Sequence, residues 1–214
     1  MADQTSRLIE KLAVEARPVR RLRPPAVRAA LWLAVAGAAI TLAIGLFSDL
    51  PLFMHRAQSA RLDWEMAGML LAGVLAVIAA FQVSLPDRSP LWVLLPLPPL
   101  ALWLASMGYN CYRHWFTDGW APGSSWDCLV FIVGVSLPLG GTLFFLLRRA
   151  APLAPVRVAA LGGLGVASIA AFTLQFFHPF DVTFMDLATQ MVAVGLVVLT
   201  ASGYERLRLA RTAR

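Results

Sequence analysis

Six long apolar stretches dominate this chain, at residues 29–47, 66–85, 91–109, 128–147, 156–177 and 186–204. A helix needs roughly 20 residues to cross the hydrocarbon core of a bilayer, and each stretch is close to that length. In lipid, every backbone N–H and C=O must find a partner within its own segment, which leaves the helix as the form for such runs. Composition agrees: 59% of residues are hydrophobic, 14% are charged and the mean hydropathy is +0.70, well outside the soluble-domain average. The expected fold is all-α: a polytopic membrane protein forming one six-transmembrane-helix bundle.

Charge in the connecting loops sets an orientation. All but Arg56, Arg61 and Arg113 of the 18 Lys and Arg residues precede the first stretch, follow the last, or lie in alternate loops at Arg88 and at Arg148, Arg149 and Arg157. The other loops carry Asp49, Asp63, Glu65, Asp118, Asp127, Asp181 and Asp186. Short loops rich in Lys and Arg stay in the cytoplasm, so both termini are expected inside. Trp64, Trp115, Trp120 and Trp126 then fall at the outer boundary and Trp32 and Trp92 at the inner one, the level that amphipathic rings favour. The first stretch reads as a retained span, because its charged leader is too long for a secretory signal and its core continues past any plausible cleavage site.

Within the spans, Ala159, Gly163, Ala167 and Ala171 stand four residues apart, a small-residue stripe that lets another helix approach closely. Pro96, Pro98 and Pro99 crowd the third stretch and Pro138 interrupts the fourth, so both are expected to kink or locally unwind. Away from their boundaries the stretches hold no Asp, Glu, Lys, Arg or His. Pumps and most transporters depend on such groups at depth, so ion transport is disfavoured. Gln82, Gln175 and Gln190 are the main polar side chains there, and hydrogen bonding between helices accounts for them. The chain has no phosphate-binding glycine loop, HExxH or GxSxG motif, and an enzyme is not expected.

Two regions outside the spans carry functional signals. The first is SRLIEKLAVEARPVRRLRPP at residues 6–25. Thr5 or Ser6 is placed to cap a helix whose Leu8, Ile9, Leu12, Ala13 and Ala16 share one face, and Pro18 stops it. A helix of about three turns is marginal alone in water, so it gains order by laying that face on a partner or on the bilayer. The basic residues after it, among them Arg20 and Arg21, also serve as a topology signal and attract anionic membrane lipid, at about 1 kcal/mol per cation near the surface. Direct nucleic-acid binding is not expected, because no aromatic side chain is interleaved to stack on bases.

The second region is GYNCYRHWFTDGWAPGSSWDC at residues 108–128. Cys111 ends the third stretch and Cys128 opens the fourth, at similar depth. His114 follows Cys111 by one helical turn, and His178 ends the fifth stretch at a similar level. Three readings remain open. A disulfide is the default in an oxidising compartment and would stabilise by roughly 3 kcal/mol on the chain-entropy argument. Two thiolates with one or two imidazoles suit a transition metal, copper or zinc. The third reading is a pair of buried thiols without a role.

The segment LIEKLAVEARPVRRLRPP before the first span, the six spans, SSWDCLVFIVGVSLP and the later FHPFD together resemble the NrsF-type membrane anti-sigma factors over nearly the whole chain. The resemblance implies a protein of the bacterial inner membrane whose partner is a cognate extracytoplasmic-function (ECF) sigma factor, released during metal or oxidative stress. It further implies that Cys111 and Cys128 are the periplasmic sensing pair, with His114 and His178 as additional metal ligands by extension. Residues 1–28 become the sigma-factor contact, with Leu8, Ile9 and Leu12 as anchors and Pro18, Val19, Arg20 and Arg21 alongside. Residues 29–204 form the bundle, 108–128 the sensing loop, and 205–214 a basic cytoplasmic tail. The alternative is a small membrane protein passing electrons between thiols and a quinone through the cysteine pair.

Overall fold

A computed structural model describes residues 2–15, 22–56, 60–117, 125–150, 152–177 and 184–212. Among these the fold is entirely helical: α1 (Ala2–Glu15), α2 (Pro25–Phe47), α3 (Leu50–Arg56), α4 (Ala60–Val83), a 3₁₀ turn (Pro90–Leu94), α5 (Leu97–Thr117), α6 (Ser125–Arg148), α7 (Pro155–Leu174) and α8 (Phe184–Thr212). Five helical stretches are long and apolar enough to cross a membrane: Pro25–Phe47, Leu62–Val83, Pro90–Tyr109, Leu129–Arg148 and Pro155–Leu174. The expected sixth falls on α8, a continuous helix longer than any of these, which is not among the five.

Local chemistry sets several boundaries. Proline opens α2 and α7, where its missing N–H costs nothing and its fixed φ suits the first turn. The amide and hydroxyl of Ser48 both donate to the Ile44 carbonyl and close α2. Asp49 accepts the Leu52 amide at 3.2 Å and caps α3, a short helix unanticipated from hydropathy. The α1 helix starts at Ala2 and carries Thr5 and Ser6 within it, so neither caps its start. The proline-rich third stretch resolves into the 3₁₀ turn and α5. Pro98 and Pro99 occupy the first turn of α5, where they help the helix begin. Pro138 lies inside a continuous α6 and leaves the Gly134 carbonyl without the amide a helix would normally supply.

The packing is organised around α7, which touches α4, α6 and α8. Glycines permit the closest crossings. A Cβ on Gly165 would lie 2.7 Å from Val77 Cγ2 and 3.1 Å from the Gly73 carbonyl of α4. A Cβ on Gly163 would lie 3.1 Å from the Val198 Cα of α8. Ala167 and Ala171 join Ala193 and Val194 in one buried cluster, so the small-residue stripe receives α8. A second cluster joins Ala29 and Trp32 of α2, Phe81 of α4, Leu143 and Leu147 of α6 and Val158 of α7.

The two clusters lie towards opposite ends of the bundle and overlap along α7. One end gathers the start of α2, the ends of α4 and α6, and the late part of α8, where Phe144 meets Tyr204 edge to face at 6.0 Å. At the other end Phe53 stacks on Phe176 at 4.3 Å, and Phe131 meets Phe177 at 5.3 Å. The cysteine-bearing parts of α5 and α6 belong to this second end. A 24-residue helix such as α6 is about 36 Å long, so it joins the two ends directly.

Candidate functional site

The α1 helix presents its apolar face uncovered: Leu8 is 57% exposed, Ile9 63% and Leu12 58%. Arg7, Glu10 and Lys11 lie between them along the helix and are exposed too. Pro18, Val19, Arg20 and Arg21 lie outside the described residues.

Between this arm and the bundle stands the first turn of α2, and there the structure holds a polar arrangement that sequence reading missed. Arg28, counted from sequence as one of the topology-setting cations, is 8% exposed. Its guanidinium donates to the Leu146 carbonyl near the end of α6 and sits 5.1 Å from the centre of the Phe81 ring. One turn on, Trp32 Nε1 donates to Thr142 Oγ1 at 3.1 Å. The Trp32 indole is therefore turned into the bundle and hydrogen-bonded there, rather than spread at the headgroup level. The spacing Arg28/Trp32 against Thr142/Leu146, four residues on each helix, is the only signal that could have found it.

Next to it, Arg148 Nε and Glu205 Oε1 of α8 form an ion pair at 2.9 Å, and Arg208 approaches the other carboxylate oxygen at 3.5 Å. Glu205 is 2% exposed; a carboxylate taken so far out of water persists charged only with such partners. The Arg148 guanidinium also lies over the rings of Phe144 and Tyr204, a cation–π contact on two sides. Phe144, Arg148, Glu205 and Arg208 line a cavity of about 260 Å³ together with Pro152, Pro155, Val158 and Leu209.

At the opposite end, Cys111 and His114 fall on the helical backbone of α5 and Cys128 on that of α6. Their side chains, and His178 entirely, lie outside the described residues. The helix register is informative: Cys111 is one turn beyond Met107 and Cys128 one turn before Ile132, and Met107 and Ile132 are buried in the same cluster. Glu65 of α4 is also buried at this end. Among the described residues no group of three His, Cys, Asp or Glu side chains is placed to hold a metal ion. Gln82 and Gln190 are buried as expected, yet their Oε1 atoms meet no donor among the described residues.

An apolar helical bundle with five membrane-length helices and a basic end cross-tied by arginines defines the class, a polytopic helical membrane protein. The family described as negative regulator of sigma F, NrsF, matches residues 12–207, and the chain belongs to that family. Membership implies negative regulation of a sigma factor, and hence a sigma factor as partner. The match includes Leu12, the basic stretch and both cysteines, while Leu8 and Ile9 precede it. No curated protein and no solved structure matches the chain.

Proposed function

We propose that this protein is an anti-sigma factor that holds an ECF sigma factor at the bacterial inner membrane and releases it when periplasmic thiols sense metal or oxidative stress. The observation that carries the reading is the bare apolar face of α1, on a chain whose family regulates a sigma factor negatively. Three large aliphatic side chains left in water represent about 1.5 kcal/mol or more each that a partner recovers by covering them. Arg20 and Arg21 add polar contacts beside that face.

In this reading α8 is a sixth span and both termini are cytoplasmic. Support comes from the cations of the basic end, which include the start of α2 and the late part of α8, and from the cytoplasmic preference of Lys and Arg in short loops. Cys111 and Cys128 then face the periplasm. A disulfide between them, or copper or zinc held by the two sulfurs with His114 or His178, changes how the outer ends of α5 and α6 sit. Moving a two-state switch from 1:99 to 99:1 takes about 5.5 kcal/mol, and a disulfide worth roughly 3 kcal/mol supplies a useful part of it. No catalytic turnover is involved.

Exchanging Leu8 and Leu12 for Asp tests the arm. Loss of about 3 kcal/mol corresponds to a hundredfold or more in affinity, so the sigma factor should no longer co-purify with membranes and its regulon should be on without stress. Repression equal to that of the parent would refute the assignment. The thiol trigger is tested separately with Cys111→Ser and Cys128→Ser, which should abolish induction by copper, cadmium or peroxide.

A further inference from the structure

The α2 helix is the element joined to the arm, and its firmest hold on the bundle is at one end. Its buried residues are Pro25, Arg28, Ala29, Trp32 and Ala36, all in its first half. Beyond them Ile40 is partly buried against the core, and an apolar groove of about 410 Å³ lined by Ile40, Ile44, Val74, Ile169 and Phe172 lies between α2, α4 and α7. What ties the first half of α2 to α6 is the pair of side-chain bonds, Arg28 to the Leu146 carbonyl and Trp32 to Thr142. Thr142 passes the second bond on by donating to the Leu139 carbonyl at 2.9 Å.

The Arg28 bond is of a particular kind. Because α6 ends at Arg148, its last four carbonyls have no helical amide to accept from. The Ala150 amide takes the Leu147 carbonyl, and Arg28 takes that of Leu146. A cation donating to the end of a helix meets both the free carbonyl and the negative end of the helix dipole. Arg28 is therefore a capping group for α6 supplied by another helix. It stays in place only while the end of α6 keeps its position and its winding.

We infer that Arg28 and Trp32 clamp α2 to the end of α6, and that this clamp passes the state of the cysteine end of α6 to the sigma-binding arm. The inference rests on the function proposed above and names the step that function lacks. The α6 helix carries Cys128 in its first turn and the clamp's acceptors in its last two turns. A shift of α6 along its axis, or a rotation about it, moves the Thr142 hydroxyl and the Leu146 carbonyl together. Arg28 and Trp32 then lose their partners, and α2, left with its apolar packing through Ala29, Trp32 and Ala36, changes its tilt at the point where the arm is attached. Arg28 and Trp32 are positioning residues in this account and touch no ligand.

The test uses the full-length protein in its own membrane, with a reporter for the sigma factor and diamide as the thiol oxidant. The quantity read is the ratio of reporter expression with and without diamide. Coupling between linked sites typically amounts to about 5- to 150-fold, so Arg28→Gln and the double variant Trp32→Phe/Thr142→Val should each lower the ratio at least about fivefold at unchanged membrane abundance. Arg28→Lys still donates to a carbonyl and should restore most of it, which a purely space-filling role would not predict. Should Arg28→Gln fail to accumulate, the double variant decides, since it keeps an aromatic ring at position 32 and the side-chain volume at position 142. A parental ratio in the clamp variants, with the ratio lost in Cys111→Ser/Cys128→Ser, overturns the clamp alone. A parental ratio in the cysteine variant, with the ratio lost in the clamp variants, keeps the clamp and overturns the thiol trigger.

Discussion

The α2 and α7 helices are both apolar, both opened by proline and both long enough to span a bilayer, yet they use their surfaces in opposite ways. In the most apolar part of α7, 72% of residues are buried within the protein, against 11% in α2. Glycine positions show the cause. Gly163 and Gly165 of α7 stand against backbone of α8 and α4, so neighbouring helices close onto them. Gly37 and Gly45 of α2 have nothing within 4 Å of where a Cβ would stand. Lipid tails are as apolar as leucine, so hydrophobicity alone gathers no helices in a membrane; close packing and polar contacts do. The α7 helix is held by the first along its length, and α2 combines packing in its first half with the bonds of Arg28 and Trp32.

That contrast is open to direct attack, most severely at the centre. Gly165→Leu places carbon where Val77 and the Gly73 carbonyl already stand and should destabilise by about 3 kcal/mol, seen as loss of the protein from membranes. Normal accumulation would mean that α7 is not the helix the others close around. Removing the buried carboxylate with Glu205→Ala strips Arg148 of its partner and should cost about 2 kcal/mol, lowering the midpoint of thermal unfolding in detergent by about 4–8 °C. Trp32→Phe removes a single hydrogen bond of α2, worth about 1 kcal/mol; a midpoint shift above about 5 °C would show α2 to be more firmly seated than its burial implies. Gly37→Ala, facing open space, should stay within about 0.5 kcal/mol of the parent. A larger loss would reveal a neighbour on that face.

Much of the architecture could be read in the sequence because its causes are local. Hydropathy locates every long helix of the bundle, although α4 starts six residues before its apolar stretch and α5 and α8 each run eight residues past theirs, and four-residue spacing marks the α7 face that receives α8. What escaped depends on contacts between distant segments. Gly73 and Gly165 look like ordinary glycines until their helices cross. Arg28 looks like a topology signal until the end of α6 is found beside it, 118 residues along the chain. Prolines 98 and 99 read as a kink because sequence alone does not reveal that the helix begins there. For the candidate site, the amphipathic face of α1 was visible as a period, whereas the bonds of Arg28 and Trp32 to α6 needed three dimensions.

The order in which the chain is made gives the central position of α7 a further meaning. By the time residues 155–174 leave the ribosome, α2, α4, α5 and α6 have already been synthesised. Until then Gly73 of α4 has no facing backbone and Leu143 and Leu147 of α6 lack part of their neighbours. Newly inserted helices must wait loosely side by side for the segment that locks them. Membrane quality control therefore meets its most vulnerable substrate at that interval of biogenesis, and the late arrival of one glycine-bearing helix ends it.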